Sequence, residues 1–272
     1  MPELPEVETI RTQLEPRLVS TAIVDAGAHW SAKFAPALDA TGAEILGVRR
    51  RGKYLLFDLD AGEPHELIVH LGMTGRLAIH ATDEPPDHSH PHLRAWWMLA
   101  DGRTLTFHDV RRFGRIHVVP TGRHETIPTL HHLGPEPWDE TFDGPMLAAF
   151  VKRSDRHLKT ILLAQRAVAG VGNIYADEAL WMAEINPATR RLSPARAQRL
   201  VGAIRRALES GLRHGGTTLR DYVDGQGDTG TNQHELWCYG RGGEPCPRCA
   251  TELRSRLLDA RTTTYCPDCQ AR

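Results

Sequence analysis

The chain begins Met1-Pro2-Glu3. A prolyl amine at a chain terminus is a ready nucleophile near neutral pH. A reference α-amino pKa of about 7.7–8.0 leaves part of it unprotonated, whereas a lysine at about 10.4 needs a large shift. As a secondary amine attacking a sugar C1′, it can form only a cationic iminium. That electron sink acidifies the neighbouring carbon and drives β-elimination of a 3′ phosphate. Glu3 beside it could protonate the ring oxygen as a general acid. The chemistry requires removal of Met1, which is usual when proline follows. Taken alone, the two residues read better as a plain chain start with a solvated carboxylate.

A second set of chemistry-bearing residues closes the chain. Cys246, Cys249, Cys266 and Cys269 form C-x2-C-x16-C-x2-C, the spacing at which two tight turns each present two thiolates to one tetrahedral zinc ion. The competing reading is a pair of disulfides. Pro247 and Pro267 inside the turns and a cytoplasmic setting favour zinc. With four cysteine ligands no coordination position is open for water, so such a zinc is structural. Cys238 lies outside the spacing and reads as a buried thiol.

The elements that must position these groups differ along the chain. Residues 5–18 place Val7, Ile10, Leu14 and Leu18 at helical spacing behind Pro5, Glu6 and Glu8. From about 43 to 119, seven short apolar runs alternate with turn signals at Ala61-Gly62 and Asp101-Gly102, predicting an antiparallel sandwich or barrel. A Pro- and Gly-rich linker at 120–145 is followed by helical periodicity over about 145–166, from Asn173 to before Pro187, and over 194–213. Gly215-Gly216 stops the last of these, and residues 216–235 read as a long polar loop.

Composition sets the class. The 272 residues are 40% hydrophobic and 25% charged, ordinary for a globular protein of about two domains. No apolar run is long enough to cross a bilayer and no signal-peptide pattern is present, so the expectation is a cytoplasmic protein. The formal charge is −1 overall, but it is unevenly spread. Residues 1–142 carry 14 basic and 20 acidic residues, whereas 143–272 carry 19 and 14. A net-basic C-terminal half suits phosphate, although such a split alone decides little.

PELPEVET at the start, then RRGKYLL, HLGMTGRL, DVRRFGR, VAGVGNIYADEAL, GGTTLRDY, YGRGGEPCPRC and TTTYCPDC, together resemble the formamidopyrimidine-DNA glycosylase family, in order and through essentially the whole chain. The resemblance implies an α+β multidomain protein. Residues 1–135 would form an N-terminal catalytic β-sandwich with a flanking helix. Residues 136–236 would form a helix–two-turn–helix DNA-binding domain carrying a lesion-recognition loop at 217–235. Residues 237–272 would form a β-hairpin zinc finger. The implied activity is that of a bacterial, nucleoid-associated base-excision-repair enzyme, a bifunctional glycosylase and AP lyase. It would remove 8-oxoguanine and formamidopyrimidines and then nick by β,δ-elimination. The expected partner is damaged double-stranded DNA. One structural zinc, no organic cofactor, no membrane contact and a monomeric chain complete the expectation.

Carried onto this sequence, the resemblance makes Pro2 the imino nucleophile, Glu3 the general acid, and Lys53 and Arg261 the elimination residues. Lys53 follows Arg49, Arg50 and Arg51, a cationic run that fits either phosphate binding or a solvated strand end. Met73, Arg111 and Phe113 would fill the gap left by a flipped nucleotide and read its orphaned partner. The alternative makes Met73 and Phe113 core residues, but each stands beside a glycine. His70, His92, Lys159 and Asn173 would hold the DNA backbone with Arg153 as a weaker candidate, and Asn173 opens a helix whose N-terminus suits an anion. The other histidines near His92, namely His80, His88 and His90, read as a solvated loop.

Three departures from the family pattern stand out. Ala164-Gln165 replaces the usual Asp-Asn or Asp-Gln, Thr264 replaces an aromatic or histidine and predicts looser packing there, and loop 217–235 varies between members. Competing readings are the endonuclease VIII-like branch, which prefers oxidised pyrimidines, a non-catalytic DNA-damage binder, and a zinc-ribbon scaffold. Pro2, Glu3 and Lys53 argue against the second, and the basic C-terminal half and Arg111 against the third.

Overall fold

The computed structural model describes residues 1–271. Its elements are α1 (Leu4–Leu18), β1 (Thr21–Ala28), β2 (Glu44–Arg51), β3 (Tyr54–Asp60), β4 (Pro64–His70), β5 (Gly75–His80), β6 (Leu93–Leu99), β7 (Thr104–Asp109) and β8 (Arg115–Pro120). These are followed by α2 (Pro128–His131), α3 (Gly144–Lys152), α4 (Leu158–Leu163), α5 (Asn173–Met182), α6 (Pro194–Arg213) and the hairpin β9 (Arg254–Leu258) and β10 (Arg261–Tyr265). The chain divides into two units, Met1–His131 with His214–Thr231, and His132–Arg213 with the residues from Asn232 onward.

In the first unit all strands pair antiparallel, in the order β5-β7-β6-β1-β2-β3-β4-β8. β1 makes this two layers. Its first residues pair with β2 (Thr21 opposite Ile45), and from Ile23 onward it pairs with β6 (Ile23 opposite Leu99, Ala26 opposite Trp97), with an irregularity between Ile23 and Asp25. A bulge that bends one strand lets it serve two sheets. The inner faces of both layers meet in one core that includes Val48, Phe57, Val69, Trp97, Leu105 and Phe107, closed by Val7, Ile10, Leu14 and Leu18 of α1. The seven expected strands are β2 to β8. β1 is additional, because TAIVDAGA is rich in small residues and offers no clean alternation.

The second unit joins the helices to the zinc hairpin. α6 buries Ala197, Leu200, Val201, Ile204, Ala207, Leu208 and Gly211 at helical spacing. The single helix expected over 145–166 is two, α3 and α4, interrupted by the polar Ser154–His157 stretch. Gln165 follows α4 with φ 56°, and its side chain accepts the Gly170 N–H at 2.9 Å, so the Ala-Gln departure still closes the turn. Loop 217–235 is expected with the helical domain. Residues 214–231 instead belong to the first unit, because their polar groups bond to α1.

Candidate functional site

Pro2 is buried, and its nitrogen is in the amide with Met1, which is half exposed. Glu3, buried as well, is the N-cap of α1, and its N–H donates to the Glu6 carboxylate at 2.7 Å. Glu6 uses its other oxygen to accept the Thr217 N–H, also at 2.7 Å. One buried carboxylate therefore fixes both the backbone at Glu3 and the start of loop 214–231. Gly216 is needed at this point: its φ is 91°, and a Cβ there would lie 2.8 Å from the Glu6 side chain. In the sequence Glu6 is only a first-turn acid, and its partner 211 residues away leaves no local signal.

Lys53 occupies the two-residue β2–β3 turn, where Arg51 is paired with Tyr54 and Gly52 has φ 55°. Its side chain is 2% exposed. The turn is tied to α1 through Arg50, which donates to Glu8 at 2.8 Å and to the Gly52 carbonyl at 3.3 Å. The neighbouring cationic run is partly neutralised. Arg49 bonds to Asp58 at 2.7 Å and Glu66 at 2.6 Å, and Arg50 is paired with Glu8. These two arginines act as fasteners of the sheet and of α1.

His70 ends β4, and its ring lies 4.7 Å from that of Tyr54. Burial, followed by the nearby cations Lys53 and Arg115, brings its pKa down to about 4. The ring is therefore neutral at pH 7. Nδ1 accepts the Gly72 N–H at 3.1 Å, so the proton sits on Nε2, which is left able to donate.

Two loops carry the remaining candidates of the first unit. Met73 lies between β4 and β5, and Arg111 and Phe113 lie between β7 and β8. All three are exposed, Met73 at 38% and Phe113 at 49%, so neither apolar side chain is a core residue. The Arg111 guanidinium sits over the Phe113 ring at 4.9 Å. The loops are held together by Asp109, which is fully buried. It accepts the Thr74 hydroxyl at 2.6 Å and the Gly114 N–H at 2.7 Å, while Thr74 accepts the Arg111 N–H at 3.0 Å. Asp109 is a functional position that sequence reasoning missed. Asp109→Asn retains only one acceptor oxygen for two donors, and one of them becomes a buried unsatisfied group. The expected cost in urea unfolding is about 1–3 kcal/mol; an unchanged midpoint would show that the clamp contributes nothing.

The histidine-rich stretch is an exposed loop as expected, His88 and His90 included, although its rings touch neighbours. His80 bonds to Thr106 at 3.0 Å, His88 stands edge-on to Trp96, and His90 packs between His92 and His108. His80, His90, His92 and His108, with Arg76 and Arg111, line a pocket of about 630 Å³.

In the second unit, Arg261 is exposed beside a hairpin turn. Asp259 and Ala260 there have φ 46° and 61°, the primed-turn geometry that matches strand twist. Asp259 also accepts from His157 at 3.0 Å, tying the hairpin tip to the start of α4. Asn173 opens α5 and donates to the Thr262 carbonyl at 3.2 Å, and Arg153 is exposed after α3.

Lys159 requires a correction. Expected on a DNA backbone, it is 1% exposed. Its amine lies 2.7 Å from Asp177 Oδ1 and donates to the Thr262 carbonyl and the Thr263 hydroxyl, both at 3.0 Å. Asp177 also accepts the Thr264 N–H at 3.0 Å. A buried amine engaged by these groups fastens β10 to α4 and α5. Thr264, expected to pack loosely, is 2% exposed.

Next to Asp177, the buried Glu178 carboxylate accepts three consecutive N–H groups, from Trp237, Cys238 and Tyr239 at 2.9, 2.8 and 2.7 Å. This nest ties the strap before the zinc ligands to α5. Burial raises the carboxyl pKa and the three donors hold it back. Cys238 is buried and donates to the Thr264 carbonyl at 3.2 Å. Burial, with Glu178 and Asp177 nearby, pushes its thiol up and away from reactivity.

The four zinc-spaced cysteines are unbridged, and their sulfurs all lie within 4.8 Å of one another. Individual Sγ separations of 3.3, 3.5 and 4.0 Å bracket the ~3.8 Å that a tetrahedral ion with 2.3 Å zinc–sulfur bonds requires. Their acidities diverge. Burial opposes ionising Cys246, but the Trp181 indole N–H and two backbone N–H groups outweigh it and bring the thiol down to about 6. Burial and the neighbouring sulfurs push Cys266 and Cys269 up. The quartet cannot ionise fully without a bound dication, and it fits one structural zinc ion.

Comparison with known proteins agrees with these parts. Residues 1–116 match the model of the formamidopyrimidine-DNA glycosylase N-terminal domain, residues 133–223 that family's H2TH domain, and residues 243–272 the zinc finger found in FPG and IleRS. The chain is similar to the formamidopyrimidine-DNA glycosylase of Thermus thermophilus, at 44% identity over 99% of this chain and 98% of the relative. It is likewise similar to that of Deinococcus radiodurans, at 41% identity over 99% and 97%. Among solved structures, the MutM (Fpg) protein from Thermus thermophilus superposes with a TM-score of 0.90 over 100% of this chain and 99% of that chain, at 44% identity. A Lactococcus lactis FPG mutant in complex with Fapy-dG-containing DNA superposes with 0.89 over 100% of both at 35% identity. This chain belongs to the formamidopyrimidine-DNA glycosylase family of base-excision-repair enzymes.

Proposed function

We propose that this protein is a bifunctional glycosylase and AP lyase that removes oxidised purines, 8-oxoguanine and formamidopyrimidines, from double-stranded DNA. The observation that carries the reading is the terminus itself. Pro2 is buried, and the Glu3 backbone is clamped at 2.7 Å by the buried Glu6 carboxylate. Once Met1 is removed, the Pro2 amine attacks C1′. The N-glycosidic bond breaks and the base leaves with a proton; the C1′–O4′ bond then opens, O4′ taking a proton from the general acid, and an iminium links enzyme and sugar. Loss of a C2′ proton expels the 3′ phosphate, and a second elimination expels the 5′ phosphate. Glu3 serves as general acid on the sugar ring oxygen, Lys53 assists the first elimination, and Arg261 contacts phosphate and assists the second.

Met73 and Phe113 fill the gap left by the flipped nucleotide, and Arg111 reads the orphaned base. His70, through its Nε2–H, joins His92, Arg153 and Asn173 in holding phosphates. Lys159 is left out of this set, since its buried amine is engaged by Asp177 and β10. The Lactococcus complex with Fapy-dG-containing DNA supports the choice of purine lesions. Because four thiolates must stay reduced to hold zinc, we place the protein in the cytoplasm.

The test is incision of duplexes carrying a single 8-oxoguanine opposite cytosine or a single thymine glycol. Release of 8-oxoguanine with strand ends from both eliminations is expected. Preferential cleavage at thymine glycol would move the protein to the pyrimidine branch.

A further inference from the structure

Loop 214–231 is fastened to α1 by two side chains of the helix that differ in what else they touch, and between them the Tyr222 hydroxyl donates to the Glu6 carbonyl at 3.4 Å. The first is Glu6, which bonds the Thr217 N–H and also the Glu3 backbone. The second is Gln13, about 10 Å farther from Pro2 along the helix than Glu6. Both ends of its amide are used: Nε2 donates to Asp224 Oδ2 at 2.7 Å and Oε1 accepts the Gly225 N–H at 2.8 Å. A Cβ on Gly225 would lie 3.2 Å from that oxygen, so the loop backbone is seated closely on the side chain. Asp224 in turn closes a small ring of chain. Its Oδ1 accepts the N–H groups of Gln226 and Asp228, both at 2.9 Å, and its own N–H donates to the Asp228 carbonyl at 2.9 Å. Gln13 therefore grips a pre-closed unit, which costs less ordering entropy than gripping a slack strand.

We propose that Gln13 is a positioning residue for the lesion-recognition step, latching loop 214–231 to α1 without touching the terminus that bears the nucleophile. Between the two anchors, Leu219, Arg220 and Asp221 are exposed. This arc is the part of the loop left to meet an extruded base, and its position is set from both sides. Loosening Glu6 disturbs nucleophile and loop together. Loosening Gln13 disturbs the loop alone, so base capture and sugar chemistry become separable. The inference rests on the glycosylase reading above.

The experiment uses full-length, zinc-loaded protein with Gln13→Ala and with the near-isosteric Gln13→Glu, whose carboxylate cannot donate and faces Asp224. Each is assayed on duplex carrying 8-oxoguanine and on duplex carrying a preformed abasic site, which has no base to capture. The expected result is a loss of about 10- to 100-fold in base excision, the range of one charge-assisted hydrogen bond, with abasic-site cleavage within about twofold of wild type. Trypsin cleavage after Arg220, the single basic residue in 215–231, is expected to accelerate about tenfold in both variants as the loop opens. Equal losses on both substrates, or no loss on either, overturn the latch. If wild type excises no oxidised base, the functional reading fails instead. The proteolysis still decides the latch, because equal cleavage of wild type and Gln13→Ala overturns it.

Discussion

Replacing Cys249 with serine, or stripping the metal with a strong chelator, is expected to take the protein from one bound zinc to none and to abolish DNA binding. β9 and β10 are five residues each, and an isolated two-stranded hairpin is marginal in water. Structural zinc supplies on the order of 10–16 kcal/mol in small zinc modules. The fastenings from Lys159, Asp177 and Glu178 act on the same hairpin and strap, but each is worth far less than that. Without zinc the Asp259-Ala260 turn no longer presents Arg261. Metal analysis combined with a DNA titration checks this, and undiminished affinity after verified zinc loss would contradict it.

Lys159→Met is the second large effect, and its pH dependence identifies the cause. The substitution keeps the apolar stem but leaves Asp177 buried beside β10 without its cation. Removing one partner of a buried pair costs about 3–5 kcal/mol. Even with Lys159 present, burial raises the Asp177 carboxyl to about 6. A folded-state pKa above the unfolded one means that the folded protein holds the proton more tightly. Raising the pH from about 4 through 6 therefore withdraws stability. Without Lys159 the carboxyl pKa rises further and that loss extends to higher pH. The stability gap between variant and wild type should be larger at pH 8 than at pH 6 in urea unfolding. A gap independent of pH would assign the effect to lost packing instead.

What the sequence made legible, and what it did not, follows from the range of each interaction. The zinc quartet reads directly, because both ligand pairs are local C-x2-C turns. α1 and α6 read directly from their 3.6-residue periodicity, and β2 to β8 from apolar runs bounded by turns. β1 escapes because a strand that bends between two sheets with small residues carries no alternation. The two-helix break after Lys152 escapes because the apolar rhythm resumes nearly in phase.

The positioning residues are the least legible of all. Glu6, Asp109, Asp177 and Glu178 look like ordinary acids on helices or strand ends. What defines them is burial against donors 211, 35, 87 and about 60 residues away. Lys159 shows the converse. Its place in a motif suggests phosphate, whereas its 1% exposure and the oxygens around it make it a fastener.

The central claim is that the amine of Pro2 forms the covalent bond to DNA. Borohydride reduces an iminium to a stable amine, so it captures that bond directly. Protein lacking Met1, as verified by mass spectrometry, is incubated with borohydride and duplex DNA carrying 8-oxoguanine opposite cytosine. The prediction is a protein–DNA adduct whose modified peptide begins at Pro2 and which is lost in Pro2→Gly. Undiminished trapping in Pro2→Gly, with the adduct mapped to Lys53, would contradict it.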